Sequence, residues 1–256
     1  MTERVIGSTG KDKLFFPQEP LWKETLAVLS KAKTSDNLAK AKELANLLHF
    51  NSEVTRARYG RALATRFARL DEHILSGLCD IAKKDQKLTT VEKIWRILFC
   101  MIEPLVGRTY VDLIWPREPG SLIERNDIKS YTETAYSQFG KKLSQRLASC
   151  LQFAGYLVPQ NKNSYYVSGF GELDNTLIIS THLLFAQSPQ TIRLSDLEAS
   201  HYWKYLGFRK FDFLRVVFRN AESQGLIMRY AVADHLEQIT TKFAWKELIE
   251  MMEFEK

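Results

Sequence analysis

Only three cysteines occur in the 256 residues, Cys79, Cys100 and Cys150, with no CxxC pair and no histidine at ligand spacing. That excludes a disulfide framework and a zinc module, and it leaves the cysteines to read as small buried hydrophobes in a reducing compartment. No stretch approaches the roughly eighteen apolar residues a membrane span needs, and "MTERVIGSTGKDK" lacks the apolar core of a signal peptide. The expectation is a cytoplasmic protein that makes no membrane contact.

Catalytic signatures are missing too. The five histidines, His49, His73, His182, His201 and His235, are dispersed, and no GxSxG, P-loop, HExxH or dinucleotide fingerprint is present. "GFGELD" after Ser168 has glycines but not the strand-glycine-helix context that cradles a phosphate. The acidic residues are spread along helical stretches rather than clustered as a metal-dependent nuclease requires. The chain is therefore expected to be no enzyme, with no catalytic residues, no metal and no cofactor.

What is present is apolar content, 45% hydrophobic and 12% aromatic, sufficient for real cores, and a formal net charge of +6 that suits a polyanionic partner. From Pro20 to Trp115 nearly everything has helical period, predicting four to six helices. Ser35 and Asp36 supply N-cap chemistry for "SDNLAKAKELANLLHF", and Pro104 should break the bulky apolar helix "VEKIWRILFCMIEPLVGRTYVDLI". The loop "WPREPGSLIERND" marks a boundary.

Beyond that loop one pattern comes twice. "SQRLASCLQFAGYLV" runs a helical stripe into Gly155 and then a strand, and seventy residues later "LRVVFRNAESQGLIM" does the same around Gly225. Glycine supplies the left-handed residue that ends a helix. With capping boxes at Ser130/Glu133 and Ser195/Glu198 opening the preceding helices, each copy has the order of a helix-turn-helix followed by a two-stranded wing. The predicted fold is mainly α: a helical bundle over 1–115, a winged-helix-like unit over 116–170 and a second over 171–256.

The candidate contacts are those a polyanion would meet. The outer face of the first copy offers Lys141, Lys142, Gln145, Arg146 and Ser149, with no acidic residue between Lys141 and Pro159, and Lys162 lies in the wing turn. The second offers Arg209, Lys210, Arg215 and Arg219, weakened by Asp212, Glu222 and Asp234. A third concentration is "TRARYGRALATRFARL", whose Tyr59, Leu63, Phe67 and Leu70 form the apolar arc; Arg58, Arg61 and Arg69 face away from it and Arg66 flanks it. Tyr165 and Tyr166 suit either stacking on a base or packing in a hairpin. Lysines and arginines dominate, so double-stranded DNA with little sequence preference is the expected partner. An RNA-binding or antitermination-like factor and a protein scaffold remain the alternatives.

Three stretches, "NSEVTRARYGRALATRFARLDEHIL", "VEKIWRILFCMIEPLVGRTYVDLI" and "SYTETAYSQFGKKLSQRLASCLQFAGYL", resemble in pattern and order the small protein A of BREX bacteriophage-exclusion systems, over roughly Leu21 to Ser168. The resemblance implies a helical N-terminal domain similar in shape to a transcription-antitermination factor, then a DNA-binding unit without enzymatic activity, acting beside a methyltransferase and ATPases. The chain departs from that family by the whole unit after about Gly171.

Overall fold

A computed structural model describes residues 16–32, 34–169, 175–234 and 236–254. The boundary expected at 170–171, most of "GFGELD", the N-terminal stretch "MTERVIGSTGKDK" and His235 lie outside these residues. The fold is mainly helical, with two small three-stranded sheets. Among the described residues no helix is long and apolar enough to cross a membrane.

Among the described residues seven α-helical segments precede the first strand: α1 (Trp22–Lys31), α2 (Ser35–Ala39), α3 (Ala41–Leu47), α4 (Glu53–Phe67), α5 (Glu72–Lys84), α6 (Thr89–Ile102) and α7 (Pro104–Thr109), which runs on into a π turn over Tyr110–Ile114. The excess over the expected four to six comes from two breaks. Pro104 makes one of them, as its chemistry demands. It stands at the first position of α7, where a missing N–H is harmless. The other break is at Lys40, whose extended backbone divides what reads as one helix. The cap there is Thr34, not Ser35 or Asp36: its N–H donates to the Asn37 side chain at 3.2 Å.

The break aims α3 along α4, and the two backbones touch at a residue that has no side chain. A Cβ on Gly60 would lie 2.5 Å from the Ala41 carbonyl oxygen and 2.9 Å from the Ala45 nitrogen. Gly60→Ala should therefore destabilise by about 1–3 kcal/mol, an overpacking effect, seen as a lower thermal midpoint. An unchanged midpoint would show that α3 can retreat freely. Helix α6 is the most enclosed of these segments, with Val91, Ile94, Trp95, Ile97, Leu98, Phe99, Cys100 and Ile102 all buried, as its apolar run requires.

The first sheet forms from β1 (Leu122–Glu124), β2 (Leu157–Pro159) and β3 (Ser164–Val167) in the antiparallel order β1-β3-β2. Between β1 and β2 lie α8 (Arg125–Ala135), a 3-10 turn (Ser137–Phe139) and α9 (Lys142–Phe153). Helix α8 starts five residues before the expected Ser130. Its first turn is closed by the Glu124 N–H donating to Asp127 at 3.2 Å, and Ser130 is an exposed mid-helix residue. The rest of the chain comprises α10 (Thr176–Phe185), β4 (Thr191–Arg193), α11 (Leu194–Ala199), α12 (Tyr202–Tyr205), α13 (Asp212–Ser223), β5 (Ile227–Ala233), β6 (Leu236–Thr241) and α14 (Trp245–Met251). The second sheet has the order β4-β6-β5, the same topology as the first. Here too the expected cap is displaced: Arg193 stands before α11 and Ser195 lies inside it.

The recurring glycine step is the same turn in both places. Gly155 has φ 80° and Gly225 φ 71°; after each, an N–H reaches back to close the helix, Tyr156 to the Leu151 carbonyl at 2.9 Å and Leu226 to the Ala221 carbonyl at 2.8 Å. A side chain at either glycine would be held in the left-handed region, so the step from helix to strand selects glycine.

The segments interlock rather than hang in series. Trp115 Nε1 donates to the Phe208 carbonyl at 2.8 Å, the Tyr110 hydroxyl to the Lys204 carbonyl at 3.0 Å, and the Tyr156 hydroxyl to the Tyr205 carbonyl at 2.9 Å. Lys204 lies over both Trp115 and Trp203. One continuous apolar cluster runs through the bundle and both sheet-bearing units.

Candidate nucleic-acid interface

Helix α9 owes its orientation to Leu143, Leu147, Cys150 and Leu151, which are buried together with Ala154 behind it. The opposite face follows from the same period. Lys142, Gln145 and Gln152 are exposed along it, Ser149 is half-buried between them, Lys141 is exposed at the N-terminal end, and Arg146 sits half-buried at one flank. Among the described residues none of these six side chains has an ion-pair or hydrogen-bond partner. Lys162 is exposed in the turn joining β2 to β3.

The helix end is held by a residue that sequence reasoning missed. Arg96 Nε, on α6, donates to the Ala154 carbonyl at 2.6 Å, and its guanidinium lies over the Tyr156 ring. No local signal reveals a partner 58 residues away. Tyr165 is buried on the inner face of the sheet, where its hydroxyl accepts from Arg125 at 3.4 Å. Tyr166, at 40% exposure, is the member of the pair left to meet a ligand. Where α8 turns into α9, Thr132, Glu133, Tyr136, Ser137, Gly140, Lys141 and Ser144 line an open cleft of about 170 Å³. Glu133 at its edge makes it a poor anion pocket.

The arginine-rich helix α4 divides between surface and core. Arg58 is exposed, 3.7 Å from Glu19, and Arg61 is exposed with Nε on the Ala57 carbonyl at 3.3 Å. Arg66, by contrast, is completely buried. It lies 3.5 Å from Glu103 and donates to the carbonyls of Pro20 and Glu19, both at 2.7 Å. Arg69, four-fifths buried, lies 3.4 Å from the same carboxylate and donates to the Ile102 carbonyl at 3.1 Å. Neither can serve as a phosphate contact in this fold. On a 100° wheel Arg66 falls about 20° from Tyr59, on the apolar arc rather than beside it. Burial pushes the Glu103 carboxyl above its usual range while Arg66 and Arg69 pull it down; burial likewise lowers the Arg66 guanidinium, opposed by Glu103.

In the second unit one of the four expected cations is committed to an ion pair. Arg215 pairs with Asp212 and with Glu237, the latter at 2.7 Å, and rests over Phe211. Those hydrogen bonds hold its guanidinium above its usual range and Glu237 below its own. Arg219 is exposed and lies over the Tyr230 ring, Arg209 is half-buried, and Lys210 is exposed. Beside them on α13, Phe213 and Val216 are exposed apolar residues. The two units thus share a topology and differ in the chemistry of the equivalent helix face: polar and basic on α9 as far as Phe153, mixed on α13, where Arg215 is ion-paired and Phe213 and Val216 are apolar.

The three cysteines are free and buried. Desolvation pushes the Cys79 thiol up to about 11 and those of Cys100 and Cys150 to about 12, so none is a ready nucleophile. No group of three or more His, Cys, Asp or Glu side chains among the described residues is placed to hold a metal ion. Compared with protein-family models, with curated proteins and with solved structures, the chain finds no match in any of the three.

Proposed function

We propose that this chain is a non-enzymatic, double-stranded DNA-binding protein whose two sheet-bearing units are winged helices, and that it serves a BREX-type defence against bacteriophage beside a methyltransferase and ATPases. The observation that carries the DNA reading is the outer face of α9. Lys141, Lys142, Gln145, Arg146 and Ser149 stand there without an internal partner, and a helix of this radius fits the major groove. Lys162 and Tyr166 on the adjoining hairpin extend the contact as a wing does, and Arg58 and Arg61 add cations on the bundle. The defence role rests on the sequence resemblance over Leu21 to Ser168.

A second reading has its own observation. Phe213 and Val216 on α13, with Met228 and Val232 on β5, are exposed apolar side chains, the chemistry of a protein contact rather than of a phosphate contact. The second unit accordingly serves as the protein-facing half, while the first faces DNA.

Fluorescence anisotropy with a labelled duplex tests the main reading. Affinity is expected to fall steeply between 50 and 200 mM salt, by about 0.9 in log–log slope for each phosphate neutralised, and single-stranded RNA is expected to compete poorly. Binding that is undetectable at low salt, or indifferent to salt, would overturn the DNA reading and favour the scaffold. RNA outcompeting duplex DNA would favour the antitermination-like alternative.

A further inference from the structure

We infer that Gln145 and Gln152 read adenines in the major groove, so that the protein prefers duplexes carrying A·T pairs two to three steps apart. The inference deepens the DNA-binding reading and rests on it. The two glutamines are exposed on one face of α9, seven residues apart, with half-buried Ser149 between them. Seven residues of α-helix rise about 10.5 Å, and a helix inclined in the groove reads about three successive base pairs over such a length, which puts the two amides about two to three steps apart. A helix lying along the groove would present the two amides to base pairs separated by that interval.

The chemistry of the side chains selects the base. A glutamine amide offers one donor and one acceptor side by side, the complement of adenine N7 and N6–H₂, whereas guanine presents two acceptors that suit arginine or lysine. Among the described residues neither Gln145 nor Gln152 is tied to another protein group, so both amides are available. The flanking residues agree with this division of labour. Lys141 and Lys142 at the N-terminal end carry charge for the backbone, and half-exposed Phe153 beside Gln152 offers an apolar surface to a thymine methyl. The equivalent positions seventy residues on are Arg215 and Glu222, one neutralised by Asp212 and Glu237 and the other acidic. The two equivalent positions of the second unit thus carry no free amide.

The expectation of little sequence preference drawn from the lysine and arginine content is thereby changed: charge sets affinity, and two amides set a modest preference. The experiment is selection of the full chain against a pool of duplexes with a randomised segment, followed by sequencing. Enrichment of A·T at two positions two to three steps apart is expected, at about tenfold for each position. Gln145→Ala should erase one preference and Gln152→Ala the other, with the salt slope unchanged and far-UV circular dichroism intact. A retained pool that stays random, or a preference for guanine that survives both substitutions, overturns the inference and leaves the DNA-binding reading standing. A pool not retained even at low salt overturns both.

Discussion

Glu103→Ala should destabilise the protein by about 3–5 kcal/mol, the range for removing one partner from a buried ion pair. The carboxylate lies with no exposed side-chain surface between Arg66, itself completely buried, and Arg69. Removing it leaves the Arg66 guanidinium in the core facing Phe99 without the carboxylate it is paired with. The effect is of desolvation more than of lost attraction: at 3.4 and 3.5 Å the contacts are longer than good hydrogen bonds. Replacing both charges, as Arg66→Met with Glu103→Leu, should recover a large part of the loss. Recovery will be incomplete, because the Glu19 and Pro20 carbonyls lose the donors that fasten the segment leading into α1, and an unsatisfied buried carbonyl costs about 1–3 kcal/mol. Chemical denaturation followed by circular dichroism measures both variants. A single variant within 1 kcal/mol of the parent would mean that water reaches the triad, and a double variant worse than the single would mean that the carbonyl contacts dominate.

The features read correctly from sequence are those fixed by neighbours along the chain. Helix α9 shows its two faces through 3.6-residue spacing alone, Gly155 and Gly225 show the left-handed stop, and Pro104 shows the break. Caps proved less legible, since Ser-x-x-Glu also occurs inside a helix. Ser130 and Ser195 fit the pattern, yet the chain begins α8 and α11 earlier, where strands β1 and β4 end and the backbone already turns. Least legible is Arg66. Its position on the apolar arc is visible, but the carboxylate that makes its burial tolerable is on Glu103, beyond two intervening helices, and no spacing rule connects them. For the same reason Arg215 reads as a free cation until the hairpin folds Glu237 against it. Sequence thus exposed which side chains face outward on a helix and concealed which outward charges are already answered.

That distinction sets the last expected result. Lys141→Glu with Lys142→Glu should weaken duplex binding by at least about tenfold at low salt and reduce the log–log salt slope by about 0.9 for each lost contact. Arg215→Gln with Arg219→Gln should change either quantity little. Among the described residues the lysines are exposed without partners, so their charge is available to phosphate. Arg215 shares its charge with two carboxylates and Arg219 packs over Tyr230, so the second pair offers less net charge than the two lysines. Glutamine rather than glutamate is used there because a third acid beside Asp212 and Glu237 would disturb the hairpin. Circular dichroism separates lost binding from lost folding; the lysine variants, altered only at exposed positions, should keep the parental spectrum. Equal losses from both pairs would establish two comparable DNA-contacting helices and refute the assignment of the second unit to a protein partner. A folded lysine variant that binds as well as the parent would remove α9 from the interface, leaving other exposed cations, Arg58 and Arg61 on α4 among them, to test.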